Sequence, residues 1–387
     1  MRVAVVAGPD PGHAFPAIAL SLALIAAGDE PILFTGSRWV DAARAAGVET
    51  EPLKGLAPRP GDDDLDAGAR IHGRAAYIST ELLPDLRAVS VDLVVSDILT
   101  AGGGLAAEQL GIPWVELSPH PLYSPSRGLP PIGSGLAPGI GLRGRLRDTL
   151  MRAATGRSIK QGLAQRSEAR VSVGLPAVDP GPAARLIATL PALEVPRPDW
   201  PEHAHLVGPL LWEPTEKVLE PSVGSEPLVM VAPSTAHTGA VGMLEAAVDG
   251  LEGAGVRLIG SVLEGSDGQH PEWVRAGLGR QDVMLRDASV LVCGGGHGML
   301  AKAMLAGVPT VIVPGGGDQW ELANRAARGG SAIIVRPADS GSIRDAVLRV
   351  LADSSFADAA RAAALTASDV RDPVAVCREV VARGVRA

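Results

Sequence analysis

The sequence predicts an α/β protein with two domains, each built on a Rossmann-like, doubly wound parallel sheet. Short runs rich in β-branched residues alternate with Ala- and Leu-rich helical segments in both halves, which is the pattern of parallel sheets covered by helices. Between about residues 195 and 227 the composition shifts to Pro, Glu and Trp without periodicity, and the alternation then restarts. The chain has 387 residues, 46% of them hydrophobic, and so exceeds the roughly 250–300 residues at which single cores stop growing.

These observations divide the chain into four segments. We expect an N-terminal domain over residues 1–205, a linker over 206–227 and a C-terminal domain over 228–370. Residues 371–387 contain a last helix, which Asp372 and Pro373 cap and which we expect to pack back toward the N-terminal domain.

The N-terminal half begins with a strand at residues 2–7, followed by a turn-rich segment and a helix. We predict that this helix starts at Pro16, because Pro is favoured in the first turn, and ends before Gly28. The other strands and helices predicted in this half lie at residues 31–35, 39–46, 93–96, 106–110 and 114–117.

Two segments of this half interrupt the alternation. Residues 58–73 are charged and rich in turn-forming types, so we predict a solvated loop there. Residues 118–144 are rich in Pro and Gly, and loops of this length inside a domain are usually functional or disordered. We predict that the second segment lines the substrate site through His120, Tyr123 and Arg127.

The C-terminal half contains two apolar runs that each end in a cluster of glycines. A strand at 290–292 is followed by a loop with Gly294, Gly295, Gly296 and Gly298 and by a helix at 299–306. Such an arrangement forms an anion site, because unpaired amides and the helix dipole point at the same place. A phosphate or diphosphate is the natural ligand, and close packing of the helix on the sheet is the alternative explanation. The next strand, at 310–313, runs into a loop that ends in Asp318 and Gln319, which favours the ligand.

A His and an Asp follow two of the predicted N-terminal strands. Ligands of doubly wound sheets lie beyond the carboxyl ends of the strands, where His13 and Asp97 both fall. An imidazole held by a carboxylate is the arrangement of a general base. No G-x-S-x-G elbow supplies a serine nucleophile, so the pair is expected to deprotonate a hydroxyl of the substrate.

Composition and missing motifs exclude several other classes of function. A formal charge of −8 and the lack of a basic run argue against a nucleic acid or an anionic membrane as partner. The two cysteines, Cys293 and Cys377, have no metal-ligand spacing. The glycine loop after the first predicted strand, Gly8-x-x-x-Gly12, does not have the G-x-G-x-x-G spacing of a dinucleotide site, and the sequence contains no P-loop. No apolar stretch approaches the ~20 residues of a transmembrane segment, and the short N-terminal run is unlike a secretory signal, so we expect a cytoplasmic protein.

Several short motifs occur in a characteristic order along nearly the whole chain. They are Gly12-His13-x-x-Pro16, Ser96-Asp97, Val207-Gly208-Pro209, Ala232-Pro233-Ser234-Thr235, and the stretch 290–319 with Gly307-Val308-Pro309. Together they resemble the inverting, nucleotide-sugar-dependent glycosyltransferases of the GT-B fold. That group includes antibiotic and macrolide glycosyltransferases of actinomycetes and plant UDP-glucosyltransferases. The first motif is weak by itself, whereas the stretch 290–319 is specific.

The resemblance implies that the two domains face each other across a cleft, with the acceptor bound by the N-terminal domain and the donor by the C-terminal domain. It implies that His13 deprotonates the acceptor hydroxyl and that Asp97 orients His13. The residues implied for the diphosphate are Ser234, Thr235, Gly295, Gly296, His297, Gly298 and Lys302. Those implied for the rest of the donor are Gln281 and Met284 at the base, and Asp318 and Gln319 at the sugar.

The sequence departs from the family pattern at two positions of the diphosphate site. Gly294 stands where most relatives have a His that binds the diphosphate, and Lys302 stands where plant relatives have a Glu that binds the ribose. We therefore expect the loop backbone, His297 and Lys302 to carry more of the diphosphate contact.

The function predicted from these features is transfer of a hexose from a UDP- or dTDP-sugar to a hydroxyl of a hydrophobic small molecule, with inversion and without metal or cofactor. A nucleotide-sugar 2-epimerase of the same fold and a catalytically silent GT-B binding protein stay open as alternatives. A homodimer also stays open.

Overall fold

The first half of the chain forms a seven-stranded parallel sheet. The computed structural model describes residues 1–60, 62, 66–234, 241–263 and 270–384. The strands are β1 Arg2–Val6, β2 Glu30–Thr35, β3 Glu49–Pro52, β4 Leu93–Asp97, β5 Trp114–Ser118, β6 Ala184–Ile187 and β7 Ala204–Leu206. The helices are α1 Pro11–Ala26, α2 Ser37–Ala45, α3 Ala67–Val89, α4 Gly102–Leu110 and α5 Gly141–Ser172. Their order in the sheet is β3-β2-β1-β4-β5-β6-β7.

A second parallel sheet, of six strands, follows in the order β10-β9-β8-β11-β12-β13. The strands are β8 Leu228–Ala232, β9 Arg257–Ser261, β10 Val274–Gly277, β11 Val290–Cys293, β12 Thr310–Ile312 and β13 Ala332–Ile334. The helices are α6 Met243–Leu251, α7 Gln281–Asp287, α8 His297–Leu305, α9 Gln319–Arg328, α10 Ser340–Ala352, α11 Ser355–Leu365 and α12 Pro373–Gly384. The predicted fold class, two α/β units with parallel sheets, is confirmed.

Both sheets are buried on both faces, as their apolar strand sequences require. In β1, Val3 and Val5 belong to one apolar cluster, whereas Ala4 and Val6 belong to another on the opposite face. The strand order reverses between β1 and β4 in the first sheet and between β8 and β11 in the second. Ligands of doubly wound sheets bind in the crevice at such a reversal, outside the carboxyl ends of the strands.

The last helix, α12, packs on the first sheet and not on the second. Its apolar side chains Val374, Val376, Cys377 and Val380 lie in the same cluster as residues of α1 and β6. The Arg378 guanidinium pairs with Asp29 at 3.0 Å and donates to the Ala27 carbonyl at 2.7 Å. The chain therefore returns to the N-terminal domain after it completes the second sheet.

Several predicted element boundaries were wrong. Helix α1 begins at Pro11, so Pro11 is the first-turn proline and Pro16 lies inside the helix. Helix α3 begins within the predicted loop 58–73, because the Asp66 carboxylate caps it by accepting from the Ala69 amide at 2.8 Å. Residues 61 and 63–65 of that loop lie outside the described residues.

The longest helix, α5, was not predicted at all. It covers 32 residues and leaves most of its surface exposed, so its sequence lacks the apolar period by which a helix is found. The strands β3, β6 and β7 were also missed, because each spans only three or four residues.

Candidate active site

His13 and Asp97 meet at the strand-order reversal of the first sheet. His13 lies in the first turn of α1, directly after β1, and Asp97 is the last residue of the neighbouring strand β4. The His13 Nδ1 atom donates to the Asp97 Oδ2 atom at 2.8 Å, since an ionised carboxylate only accepts. The Leu99 amide donates to the other carboxylate oxygen at 2.9 Å. In a neutral His13 ring, this hydrogen bond places the proton on Nδ1 and leaves Nε2 as the unprotonated nitrogen.

Charge at the site favours the protonated form of His13. Burial of the ring works against protonation, but the Asp97 carboxylate outweighs it and raises the pKa of His13 above its usual value. Asp10 and Asp318 add to the same effect. Asp318 lies in the C-terminal half of the chain, at the start of α9.

His120 and Tyr123, which were predicted to line the substrate site, lie together beside His13. The His120 ring stacks on the Tyr123 ring with centroids 4.4 Å apart, and it meets the His13 ring edge-on at 6.5 Å. The Tyr123 hydroxyl donates to the Asp318 Oδ2 atom at 3.0 Å. Burial, followed by the nearby Asp318 charge, raises the pKa of Tyr123 well above its usual value. A hydrogen bond therefore links the two walls of the cleft.

Arg127 is not brought to this cluster. Its side chain is exposed, and its backbone amide donates to the Asp199 carboxylate at 2.9 Å. Further along the same loop, the Gly133 and Gly135 amides donate to the Glu321 carboxylate at 3.2 and 2.9 Å. The loop predicted to line the substrate site thus lies near His13 at His120 and contacts α9 of the opposite domain farther on.

The glycine loop and α8 have the geometry of an anion site. Gly296 is the N-cap residue of α8 and carries no side chain that could cap the first amides. Gly295 has a φ of +80°, which favours glycine, and a Cβ added to it would lie 2.7 Å from Ile312 Cγ2. A Cβ added at Gly294 would lie 2.9 Å from Ser234 Cβ. The loop is therefore packed too closely against Ser234 for the His of the family pattern.

Ser234 and Gln319 form one hydrogen-bonded unit beside this loop. The Gln319 Nε2 atom donates to the Ser234 Oγ atom at 2.8 Å, and the Gln319 Oε1 atom accepts from the Gly315 amide at 2.8 Å. Gln319 is buried and begins α9 directly after Asp318. The structure thus brings Ser234, Asp318 and Gln319 together at the carboxyl ends of β8 and β12. Thr235 lies outside the described residues.

His297 is a neutral residue that bridges the two domains. Its Nε2 atom lies 2.8 Å from the Thr189 hydroxyl of the N-terminal domain. Burial, together with the nearby His120, lowers the pKa of His297 to about 3. His297 consequently offers hydrogen bonds but no positive charge to an anion.

Lys302 and Gln281 are engaged inside the C-terminal domain. The Lys302 ammonium pairs with the Glu213 carboxylate at 2.7 Å, and the side chains are 9% and 10% exposed. The ammonium also donates to the Gln281 Oε1 atom at 2.9 Å, while Gln281 Nε2 donates to the Ser261 hydroxyl at 3.0 Å. Lys302, which was predicted at the diphosphate, thus forms an ion pair that ties the linker to α8. Met284, predicted at the donor base, lies in the apolar core.

Sequence reasoning missed a charged pair in the N-terminal domain. Glu116 in β5 and Arg185 in β6 line a cavity of about 390 Å³ that also reaches Asp97 and His120. Each interrupts a short apolar strand, in the segments WVELS and ARLI. A charge within a buried strand is the signal that could have found them, because buried charges are paired or functional.

Two further observations concern the described part of the chain. No group of three His, Cys, Asp or Glu residues there is arranged to hold a metal ion. No helix there is both long and apolar enough to cross a bilayer.

The fold and the site define a class of protein. Two parallel-sheet domains, a His–Asp pair on one wall of a cleft and a glycine loop on the other are the features of a GT-B glycosyltransferase, as the sequence predicted.

Comparisons with known proteins support this class. Residues 266–384 match the family described as erythromycin biosynthesis protein CIII-like, C-terminal domain. The chain is 26% identical to 4'-demethylrebeccamycin synthase of Lentzea aerocolonigenes, over 92% of this chain and 93% of that protein. The predictions of a glycosyltransferase and of its likeness to actinomycete antibiotic glycosyltransferases are confirmed.

Solved structures show the same fold over the whole chain. The glycosyltransferase of kitacinnamycin is 20% identical, with a TM-score of 0.76 over 99% of this chain and 98% of that one. The glycosyltransferase VinC in complex with dTDP is 20% identical, with a TM-score of 0.71 over 99% of this chain and 100% of that one. The GT-B fold is therefore confirmed.

Proposed function

We propose that this protein transfers a hexose from a nucleoside-diphosphate sugar to a hydroxyl group of a small-molecule acceptor, with inversion at the anomeric carbon. The observation that carries the proposal is the hydrogen bond of 2.8 Å between His13 and Asp97. It lies on the cleft wall that faces Asp318 of the C-terminal domain. No protein nucleophile accompanies the pair among the side chains that the structure describes beside His13, so the acceptor itself supplies the attacking oxygen.

The proposed step needs one proton transfer and one displacement. The acceptor hydroxyl gives its proton to the His13 Nε2 atom, and the oxygen attacks the anomeric carbon. The bond between that carbon and the diphosphate oxygen breaks, and the diphosphate leaves with the electron pair. Attack from the side opposite to the leaving group inverts the anomeric configuration. Asp97 holds the His13 ring in place and stabilises its protonated form.

The donor wall would stabilise the leaving diphosphate mainly with backbone amides. The amides of Gly295, Gly296, His297 and Gly298 lead into the N-terminus of α8, where the helix dipole favours an anion. Such charge stabilisation is usually a large catalytic contribution. Lys302 contributes little charge, because Glu213 already neutralises it.

Side chains around the glycine loop would complete the donor site. Ser234 would support the diphosphate, and Asp318 and Gln319 would bind the sugar hydroxyls. The Tyr123 hydroxyl donates a hydrogen bond to the Asp318 carboxylate, as a sugar hydroxyl would. Gln281 and Met284 were predicted to contact the nucleotide base of the donor. Since Gln281 is bonded to Ser261 and Lys302 and Met284 lies in the core, this contact requires the α7 segment to move when the nucleotide binds. The dTDP complex of a structural neighbour favours a dTDP-sugar as donor.

Two measurements on the purified protein test the proposal. A thermal-shift series with dTDP, UDP and GDP should show stabilisation, largest with dTDP, because a ligand that binds only the folded state raises its stability. Incubation with dTDP-glucose and 7-hydroxycoumarin should then yield a coumarin glycoside and dTDP, seen by mass spectrometry. Lack of stabilisation by all three nucleotides, with no glycoside formed, would reject a nucleotide-sugar-dependent transferase.

A further inference from the structure

A partly open cavity lies next to His13 and Asp97, on the face of the first sheet that α3, α4 and α5 cover. Its volume is about 390 Å³, within the range of small-molecule sites. It lies between β4, β5 and β6 on one side and α3, α4 and α5 on the other, and it reaches the cleft at Asp97, His120 and Tyr123. Its apolar walls include Ile71, Ala75, Leu105 and Trp114. Because it opens beside the base, it is the place for the body of the acceptor, and this step rests on the proposed function.

The floor of the cavity is a polar row set by strand register. Ser96 in β4 pairs with Glu116 in β5, and Glu116 pairs with Arg185 in β6. Register partners in a parallel sheet point to the same face, about 4.8 Å apart. The sheet therefore presents Ser96, Glu116 and Arg185 side by side beneath the apolar walls, and all three line the cavity.

Arg185 is held on this floor with unused hydrogen-bond donors. Its Nε atom lies 3.3 Å from a Glu116 oxygen as an ion pair but finds no hydrogen-bond partner among the described residues. One terminal nitrogen donates to the Ser124 hydroxyl at 3.3 Å. A guanidinium has five N–H donors, and buried donors are nearly always satisfied in folded proteins. The remaining donors are thus available to a ligand in the cavity.

The cavity has little net charge. Glu116 balances Arg185, and burial, partly offset by Arg185, raises the pKa of the Glu116 carboxyl. The other charged groups on the walls are also paired, Arg166 with Asp179 and Glu108 with Arg170. A neutral oxygen that accepts hydrogen bonds suits Arg185 better than a carboxylate, whose extra charge would face Glu116 at close range.

We propose that Arg185, held by Glu116, determines acceptor specificity by donating hydrogen bonds to a carbonyl oxygen at the end of the acceptor distant from the reacting hydroxyl. The acceptor is thus a flat, mainly apolar molecule with a hydroxyl at one end and a carbonyl at the other. This adds a carbonyl oxygen to the hydrophobic, hydroxyl-bearing acceptor expected from the sequence.

Three fluorescent probes of similar shape test the inference by direct binding, without a donor. 7-Hydroxycoumarin carries a phenol opposite a lactone carbonyl, 2-naphthol carries the phenol alone, and 6-hydroxy-2-naphthoic acid carries a carboxylate opposite the phenol. We expect the wild-type protein to bind 7-hydroxycoumarin about tenfold more tightly than 2-naphthol, the effect of one hydrogen bond from a charged donor. The carboxylate probe should bind no better than 2-naphthol.

Substitutions of Arg185 and Glu116 test whether the preference for 7-hydroxycoumarin over 2-naphthol arises at the floor of the cavity. Arg185→Met should bind the coumarin and 2-naphthol equally, whereas Arg143→Met, which replaces an exposed Arg of α5, should keep the tenfold ratio. Glu116→Gln should shift the preference toward the carboxylate probe, a gain that a misfolded protein cannot produce.

Four outcomes would overturn the inference. They are equal affinities in the wild type, an unchanged ratio in Arg185→Met, tightest wild-type binding of the carboxylate probe, and no binding of any probe. Since no donor is present, a protein that discriminates the probes but transfers no sugar would reject the proposed function and keep only the ligand preference assigned to Arg185. A protein that transfers sugar without discriminating the probes would support the proposed function and reject the role of Arg185.

Discussion

The two walls of the cleft differ in the groups that they present: side chains on the N-terminal wall and backbone amides on the C-terminal wall. The N-terminal wall depends on side chains, because His13 and Asp97 form a buried pair whose protons and charge matter. The C-terminal wall depends on backbone, because a glycine loop and the start of α8 present amides while the nearby Lys302 is paired with Glu213. The N-terminal wall thus offers a side chain whose pKa is raised, and the C-terminal wall offers backbone dipoles that stay in place.

The difference follows from what each wall would do. Deprotonating a hydroxyl needs a group that gains and loses a proton, which only a side chain such as imidazole offers near pH 7. Stabilising a leaving diphosphate needs donors that stay in place throughout the reaction, which backbone amides provide. Side-chain substitutions should therefore damage the first wall, and changes of backbone shape should damage the second.

The largest expected effect is on the N-terminal wall. Replacing His13→Ala removes the proton acceptor and should slow transfer from dTDP-glucose to 7-hydroxycoumarin by about 10³-fold. The dissociation constant for dTDP should stay unchanged, because the donor wall is intact. Initial rates and titration calorimetry measure the two quantities. His203→Ala removes an exposed imidazole of the same domain and serves as the control. A His13→Ala rate within about threefold of wild type would contradict the claim that the N-terminal wall depends on the His13 side chain.

The second effect is the pH dependence that Asp97 imposes. His13 must be neutral to accept a proton, so activity is lost as the pH falls through the pKa of His13, which Asp97 raises. Asp97→Asn leaves burial to lower that pKa, so the acid limb of kcat/KM should move to lower pH while its plateau falls about 10²-fold. Rates measured from about pH 5 to 9 test this. An acid limb that stays in place or moves to higher pH would contradict it.

The third effect is on the backbone of the C-terminal wall. Gly295→Ala forces an L-residue into a positive φ, and its Cβ would lie 2.7 Å from Ile312 Cγ2. We expect the free energy of unfolding to fall by about 1–3 kcal/mol and dTDP to bind about tenfold more weakly. In the matched variant Gly298→Ala the added Cβ meets no atom within 4 Å, so stability should be unchanged or slightly higher. Equal stability of the two variants would show that the loop tolerates a different shape.

The smallest effect on donor binding is expected from Lys302. Lys302→Met should change the dTDP dissociation constant by about threefold or less, because Glu213 already neutralises the ammonium. The same change leaves the buried Glu213 carboxylate with the Asp282 amide at 3.1 Å but without its cation, so the free energy of unfolding should fall by about 3–5 kcal/mol. Adding Glu213→Gln should recover part of this loss in chemical denaturation. A large loss of dTDP affinity in a stable Lys302→Met protein would place this cation on the diphosphate.

Much of the fold and of the two walls could be predicted because the signals are local. The glycine loop at 294–298 is visible in the sequence, since a strand, glycines and a helix follow one another there. His13 and Asp97 could be paired because both follow strands whose carboxyl ends meet at one edge of a parallel sheet. The start of α1 was placed at the wrong proline, because Pro11 and Pro16 carry the same local signal.

The contacts that were missed join residues far apart in the chain. Lys302 pairs with Glu213, His297 with Thr189, and Arg185 with Glu116, and each pairing depends on tertiary packing or strand register. Sequence could show that these residues were charged or polar within apolar surroundings. It could not show which partner each one would meet.

The central claim is that His13 acts as a base toward a hydroxyl. It is tested most directly by comparing 7-hydroxycoumarin with 7-mercaptocoumarin as acceptors of dTDP-glucose, at about pH 8, in wild type and His13→Ala. An aryl thiol ionises without help from a base, and the thiolate is the nucleophile. We predict that His13→Ala loses transfer to oxygen by about 10³-fold but keeps transfer to sulfur within about threefold of wild type. Equal loss of transfer to both acceptors would contradict the assignment of His13 as the base.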